Sequence, residues 1–181
     1  MILDAPMSDA DIVMTRFEEA DREPLRAACA QDREVWAIYP YSMVDEHFDP
    51  GLDGRLARPG WVVFTIRRAG EVVGTSCFIS VDPKNRSLEI GGTYYVPAQR
   101  GSGLNRTVKQ LMLARAFASG FDRVQFNIDA RNGRSIRAVE KIGAVHEGRL
   151  RRNRVTWTGY VRDTVIFSIL RNEWEARAPR S

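Results

Sequence analysis

The sequence predicts a mixed α/β fold of the α+β kind, in which antiparallel strands combine with helices. Three observations support this prediction. Three apolar runs separated by tight turns follow one another between residues 61 and 96, which is typical of a β-meander. A strand, a glycine loop and a helix are then indicated over 89–113, and a strand with a short helix over 123–142. A final hairpin is expected over 147–170.

Length and composition are those of a globular protein. The chain has 181 residues, of which 44% are hydrophobic and 28% charged. We expect a single domain over 1–181, with loose termini at 1–11 and 172–181. The two cysteines, Cys29 and Cys77, have no metal-binding spacing and are too few for a disulfide framework, so no metal is expected.

Charge and hydropathy favour some partners over others. No apolar run is long enough to span a bilayer, and the acidic N-terminus lacks a signal pattern, so we expect no membrane contact and a cytoplasmic location. The net charge of +4 helps to attract a polyanionic cofactor. It is too diffuse to indicate nucleic-acid binding by itself.

The N-terminal part is expected to supply one strand and two helices. Residues 13–17 form a short strand, and 18–32 are helical, with Leu25, Ala28 and Cys29 on an inner side. Residues 34–38 are predicted to form a second short helix.

The pattern breaks between residues 39 and 59, where a loop with a short helix is expected over one end of the sheet. Aromatic residues alternate here with carboxylates and three prolines. One interpretation is an acceptor pocket that favours a cationic amine, because loops on a rigid scaffold often supply specificity. The other is a surface connection whose aromatic side chains cover the core. In the first interpretation the acceptor-contacting residues are Trp36, Tyr39, Tyr41 and Phe48.

The meander is expected to have strands at 61–67, 71–81 and 86–96. Ala69-Gly70 and the segment 82–85 supply the turns. Gly91 and Gly92 lie inside the third strand, where glycine often marks a bulge or a close approach by a ligand. A bulge there would splay this strand from its neighbour.

A glycine loop separates that strand from the predicted central helix over 104–119. Pro97 ends the strand, and Arg100-Gly101-Ser102-Gly103 forms the loop. Free N–H groups at a helix start, together with the positive end of the helix dipole, favour an anion such as phosphate. The dinucleotide fingerprint and the P-loop both fit poorly, because a third glycine and a Gly-Lys-Ser/Thr sequence are absent.

Two motifs resemble those of the GNAT superfamily of N-acetyltransferases. The segment 100–105 resembles the coenzyme A pyrophosphate loop, Arg-x-x-Gly-x-Gly, with Asn105 in place of the last glycine. The segment 132–144 resembles the second signature: an asparagine after a strand, a small polar residue three positions later, a helix, and then glycine with an apolar residue. The segments 147–152 and 162–170 are similar to the subgroup typified by ribosomal-protein N-terminal acetyltransferases.

The resemblance implies a mostly antiparallel sheet of about seven strands whose fourth and fifth strands diverge around acetyl-CoA. Those strands would be 86–96 and 123–129. Backbone near Tyr94 to Val96 would pair with the pantetheine arm, and the loop amides would hold the pyrophosphate. The coenzyme-binding residues implied are Tyr95, Val96, Arg100, Gly101, Ser102, Gly103, Leu104, Asn105, Asn132 and Ser135.

The reaction implied is direct transfer of an acetyl group to a primary amine of a protein N-terminus, a peptide or a small cationic molecule. Glu89 is the candidate base, acting through water. The alternative interpretation is that Glu89 is an ordinary carboxylate on the strand, without a catalytic role. The tyrosine that many relatives use as the general acid corresponds to Val139 here. Ser135 has the nearest hydroxyl and is the candidate acid. Its alternative role is to cap the short helix. A backbone N–H near Tyr94 would polarise the carbonyl.

Other functions stay open at this point. The same fold could serve as a non-catalytic coenzyme A-binding or regulatory module. Nucleic acid could bind a basic strip on the final hairpin, although a solvated hairpin is the favoured interpretation. That hairpin also offers a surface for a homodimer, and an acyl group longer than acetyl is not excluded. The arginines of the strip are Arg149, Arg151, Arg152, Arg154 and Arg162.

Overall fold

The computed structural model describes residues 3–177, and its centre is one eight-stranded sheet. The strands are β1 (Met7–Asp9), β2 (Ile12–Arg16), β3 (Val62–Arg68), β4 (Glu71–Asp82), β5 (Ser87–Tyr95), β6 (Arg123–Asp129), β7 (Val145–Val155) and β8 (Val161–Leu170). They are ordered β1-β2-β3-β4-β5-β6-β8-β7. All neighbouring pairs are antiparallel except β5 and β6, which are parallel. The mixed α/β fold predicted from the sequence is therefore confirmed.

The eighth strand arises where a loose N-terminus was expected. Residues Met7–Asp9 pair with β2, and the Met7 side chain is buried, so the prediction of a loose segment over 1–11 was wrong at this point. As a result, the predicted fourth and fifth strands of the sheet are β5 and β6. At the other end, the expected loose tail begins with a short helix that docks on β8, and 178–181 lie outside the described residues.

In the described part of the chain, five α-helices flank the sheet: α1 (Arg22–Cys29), α2 (Phe48–Leu56), α3 (Leu104–Ala118), α4 (Gly133–Lys141) and α5 (Arg171–Glu175). Helix α1 is shorter than predicted, because 19–21 form a 3₁₀ turn; Glu34–Ile38 is also a 3₁₀ helix. Helix α1 packs on β4 and β5, α2 on β3, α3 on β1, β2, β5 and β6, and α4 on β6. None of these helices has the length and apolar composition needed to cross a bilayer.

Strands β5 and β6 separate after only three residue pairs. Ser87 to Glu89 pair with Arg123 to Gln125, and beyond that point β6 pairs only with β8. The cause lies at Gly92, where the register between β4 and β5 shifts and the backbone takes a φ of +58°. A side chain there would also meet the Tyr41 hydroxyl at 3.0 Å, so the backbone angle and the close contact together favour glycine. The predicted bulge and splay are both present, and they open a wedge in the sheet.

Candidate active site

The wedge between β5 and β6 continues into a cavity of about 660 Å³. Most of its wall comes from the two strands, the segment 35–41, the loop 99–106 and helix α4, with single residues from α3, β4, β7 and β8. Residues distant in sequence therefore meet at the point where the two strands part.

Glu89 lies at the apex of the wedge. Its carboxylate accepts a 2.6 Å hydrogen bond from Asn127 Nδ2 on β6. Burial raises the pKa of Glu89, while the Asn127 hydrogen bond and the nearby positive charges of Arg154, Arg162 and Lys109 oppose that rise. A half-buried carboxylate with a raised pKa can accept a proton, which is the property required of the predicted base.

Lys109 of α3 lines the same cavity as Glu89. Its Nζ donates a 2.8 Å hydrogen bond to Thr93 Oγ1, and that hydroxyl lies 2.7 Å from Ser76 Oγ. Burial lowers the pKa of Lys109 to about 7, so this lysine loses much of its charge near neutrality. Lys109 was not among the site residues predicted from the sequence. Its position beside Val108 on the inner side of the central helix was the available signal.

The glycine loop has the geometry of an anion site. Gly101 and Gly103 have φ values of +80° and +88°, and a Cβ at either would meet no atom within 4 Å. Within 3–177, the amides of Gly101, Ser102 and Gly103 donate to no backbone carbonyl. Asn105 lines the cavity and accepts a 3.1 Å hydrogen bond from the Tyr95 hydroxyl. The loop therefore presents free amides to open space, as a bound anion requires.

Two predicted coenzyme contacts of this loop lie outside the cavity. Leu104 is buried in the core, and Ser102 Oγ turns back to donate to the carbonyl of Gln99 at 2.8 Å. Only the backbone of these two residues remains available for the predicted role. Val96 also faces the core, and its N–H donates to Val73 O at 2.9 Å. Its predicted pairing with a ligand is therefore contradicted.

Arg100 lines the cavity but already has a partner. It forms a 2.5 Å ion pair with Asp32, and its Nη2 donates to Tyr95 O at 3.3 Å. Arg106 and Arg134 also line the cavity and form no salt bridge within the described part of the chain. These two arginines were missed in the sequence, and they add positive charge beside the loop.

Helix α4 begins earlier than expected, at Gly133. Its N-cap is Asn132, whose side chain accepts a 3.0 Å hydrogen bond from Ser135 N. The alternative role of Ser135 as helix cap was therefore wrong, and Asn132 supports the helix start. Ser135 lines the cavity together with Val139, which occupies the position of the expected tyrosine.

The aromatic segment divides between the cavity and the core. Tyr39 and Tyr41 line the cavity, and the Tyr39 hydroxyl donates to Thr93 O at 2.5 Å. Trp36 and Phe48 have no exposed surface and belong to the hydrophobic core, so their predicted contact with an acceptor is contradicted. The segment is therefore in part a wall of the cavity and in part a cover for the core.

The carboxylates of the same segment do not face the cavity. Asp49 accepts hydrogen bonds from both Arg22 and Arg26, and Asp53 accepts one from Arg22 at 2.8 Å. Asp45 pairs with Arg33. The predicted attraction of a cationic amine by these acids is therefore not supported, because helix α1 and the residues after it neutralise them.

Tyr94 contributes to the site through its main chain. Its side chain is almost fully buried, and the hydroxyl donates to Ala28 O at 2.8 Å. On the free edge of β5, the carbonyls of Thr93 and Tyr95 accept hydrogen bonds from Tyr39 and Arg100. A ligand that added itself to this edge would have to replace those bonds.

The polar face of β6 was also not recognised in the sequence as part of the site. Val124, Phe126 and Ile128 are buried on one face, while Gln125, Asn127 and Asp129 alternate with them. Three polar residues on one face of a strand in the middle of the sheet indicate a polar site.

Solved structures similar to this chain are acetyltransferases. The chain is 34% identical to a candidate acetyltransferase from T. thermophilus, with 94% of this chain and 92% of that chain covered and a TM-score of 0.86. A candidate GNAT-family acetyltransferase from Chromobacterium violaceum is 24% identical, with 95% and 89% covered and a TM-score of 0.88. These likenesses identify the class of protein as an acyltransferase.

A family model described as an acetyltransferase (GNAT) domain matches residues 11–145. The chain therefore belongs to the GNAT acetyltransferase family. The fold is also shared with the spermidine N-acetyltransferase from Vibrio cholerae, solved in complex with CoA and spermine. That protein is 16% identical, with 92% of this chain and 99% of that chain covered and a TM-score of 0.76.

Proposed function

We propose that this protein transfers an acetyl group from acetyl-CoA to a primary amine. The main supporting observation is the wedge between β5 and β6, which places the half-buried Glu89 carboxylate at its apex and a loop of free amides at its mouth. Along β5, the six residue steps from Glu89 to Tyr95 span roughly 20 Å. This length separates the reacting end of the cleft from the phosphate-binding end.

The residues of the cleft fit coenzyme A. The amides of Gly101 and Gly103 would hold its pyrophosphate, and Arg106 and Arg134 would add charge-assisted contacts. When bound, the coenzyme supplies an acetyl thioester. Arg100 would join the contacts only by weakening its ion pair with Asp32.

The chain's own residues supply position and proton transfer. An alkyl ammonium has a pKa near 10.4, so it must lose a proton before it can attack. Glu89 accepts this proton, directly or through water, and Asn127 orients its carboxylate. The narrow wedge holds both reactants together, which lowers the entropy cost of their meeting. Ser135 is the hydroxyl proposed to assist the leaving thiolate.

Several finer assignments belong to the same proposal. We propose that the protein belongs to the ribosomal-protein N-terminal acetyltransferase subgroup, that its acceptor is a peptide or a small molecule, and that it is cytoplasmic. We also propose a homodimer through β7, an edge strand exposed over nearly its whole length with Val145, Leu150 and Val155 at its surface. A monomeric mass in sedimentation equilibrium at micromolar concentration would refute the dimer.

Nucleic-acid binding by the hairpin receives less support. Arg149 pairs with Asp163, and Arg162 is buried. Arg154 lines the cavity, which leaves Arg151 and Arg152 as the exposed arginines of the predicted strip outside it.

The direct test is acetylation of a broad amine panel, followed by mass spectrometry of the products. In parallel, Glu89→Gln should lower kcat at neutral pH by about 10²- to 10⁴-fold, because the base is lost while the shape is kept. Acetyl-CoA affinity, measured by calorimetry, should stay unchanged.

Two outcomes would contradict the proposal. Full turnover in Glu89→Gln would remove Glu89 from the mechanism. Tight acetyl-CoA binding without acetylation of any amine would favour a non-catalytic binding module.

A further inference from the structure

Two arginines face each other across the final hairpin. Arg154 on β7 and Arg162 on β8 are direct cross-strand partners, and both line the cavity beside Glu89. Side chains at such positions have Cβ atoms about 4.5–5.5 Å apart, and like charges placed opposite each other destabilise a sheet. The structure therefore keeps an unfavourable pair in its active-site cleft.

Arg162 is buried without a full set of partners. Its exposed fraction is 5%, and its Nε has no hydrogen-bond partner. Within residues 3–177, only Nη1 donates, to Ile38 O at 3.1 Å. A buried guanidinium normally requires a carboxylate and several acceptors.

The carboxylate nearest to Arg162 is already hydrogen-bonded to another arginine. Asp129 lies 3.9 Å from Arg162 Nη1, but it accepts two hydrogen bonds from the Arg131 side chain, at 2.7 and 3.0 Å. The side chain of Arg154, which is exposed, forms no salt bridge or hydrogen bond with the described residues. Of the carboxylates near the two arginines, Asp129 is shared with Arg131 and Glu89 is the proposed base, so this part of the cleft favours a further anion.

The position of Arg154 and Arg162 shows which end of the cleft they line. Arg162 Nη1 donates to Ile38 O, next to Tyr39, and Arg154 lines a second, smaller cavity together with Glu89 and Asn127. The arginines are also close enough to Glu89 to lower its pKa. An anion held here would belong to the acceptor rather than to the coenzyme diphosphate.

We infer that the acceptor is an amino acid, whose carboxylate binds between Arg154 and Arg162 while its amine faces Glu89. This inference rests on the proposed function. The neighbouring wall of Tyr39, Tyr41, Trp61 and Ile79 favours an apolar side chain. A polyamine would bring further positive charge to the two arginines and is disfavoured.

The experiment compares matched acceptors in matched variants. The twenty common amino acids are assayed with wild-type protein, and the best apolar substrate is compared with its amide, its decarboxylated amine and spermidine. Arg154→Gln tests the site, since Arg154 is exposed and its loss should leave folding intact. Arg151→Gln is the control, because Arg151 is exposed on the same strand and lies outside the cavity.

We expect Arg154→Gln to lower kcat/KM for the amino acid by about 10- to 100-fold, the range of a lost charged hydrogen bond, and by less than about twofold for the decarboxylated amine. Comparing variants cancels differences in intrinsic amine reactivity. Arg154→Glu should shift preference toward spermidine. Arg151→Gln should change none of these ratios.

Binding provides a readout separate from turnover. The amino acid titrated into the protein–CoA complex should bind more weakly to Arg154→Gln by a similar factor. Equal effects of Arg154→Gln on all acceptors, or a wild-type preference for spermidine over every amino acid, would overturn the inference while leaving the acetyltransferase proposal intact. Binding of the amino acid without acetylation of any amine would instead refute the proposed function.

Discussion

Replacing Gly103 by alanine separates a role in phosphate binding from a role in folding. Gly103 begins α3 with a φ of +88°, it lines the cavity, and a Cβ there would meet no protein atom within 4 Å. Gly120 follows the same helix with a φ of +95°, also in open space, but it does not line the cavity. Each alanine should therefore cost only the left-handed backbone strain, about 1–2 kcal/mol.

The two substitutions should differ in coenzyme affinity. The new methyl group at position 103 points into the space that a diphosphate would occupy, and it displaces the anion from at least one amide. Loss of one charged hydrogen bond is worth about 1.5–3 kcal/mol, so the Kd for coenzyme A should rise by about 10- to 100-fold. Gly120→Ala should show a similar decrease in Tm and an unchanged Kd.

Calorimetric titration with coenzyme A and with pantetheine, which has no diphosphate, tests the reasoning. The affinity loss in Gly103→Ala should appear with coenzyme A and be absent with pantetheine. If Gly103→Ala is destabilised like Gly120→Ala yet binds coenzyme A normally, the loop does not hold the phosphates.

Three further predictions concern buried groups. Because burial lowers the pKa of Lys109 from 10.5 to about 7, the unfolded chain binds more protons between those values, and stability should rise with pH by up to about 1.4 kcal/mol per unit. Denaturant unfolding of Lys109→Met from pH 7 to 10 should lack this rise; an unchanged slope contradicts the assignment. Asn127→Ala removes a bond that lowers the pKa of Glu89, so the acidic limb of kcat/KM should move to higher pH. Trp36→Phe should lower Tm, because the bond from Nε1 to Cys29 O is lost, with little change in kcat/KM if Trp36 is purely a core residue.

The local elements of the fold were predictable because their signals are local. Glycine and proline positions located the loop before α3, and the Gly91-Gly92 pair indicated the bulge that opens the wedge. The three-residue strand β1 was missed because so short a segment has no periodicity of its own. It exists through pairing with β2 and contact with α3, which are tertiary effects.

The walls of the cleft were harder to predict. An irregular aromatic segment does not reveal which rings face the cavity, so Tyr39 and Trp36 could not be separated from sequence. The carboxylate of Asp49 is neutralised by Arg22 and Arg26, which lie 27 and 23 residues away in the chain. Such pairings depend on how helices dock, and residue type alone does not give them.

The buried charges of the cleft explain one another. Burial pushes the pKa of Glu89 up and that of Lys109 down, so both groups move toward their neutral forms. If Lys109 were fully charged, its ammonium would repel the amine that must approach Glu89. Its lowered pKa reduces this repulsion near neutral pH, while Arg154 and Arg162 keep Glu89 ionised enough to accept a proton. A site with both features attracts a carboxylate and tolerates an amine beside it, and an amino acid presents these two groups together.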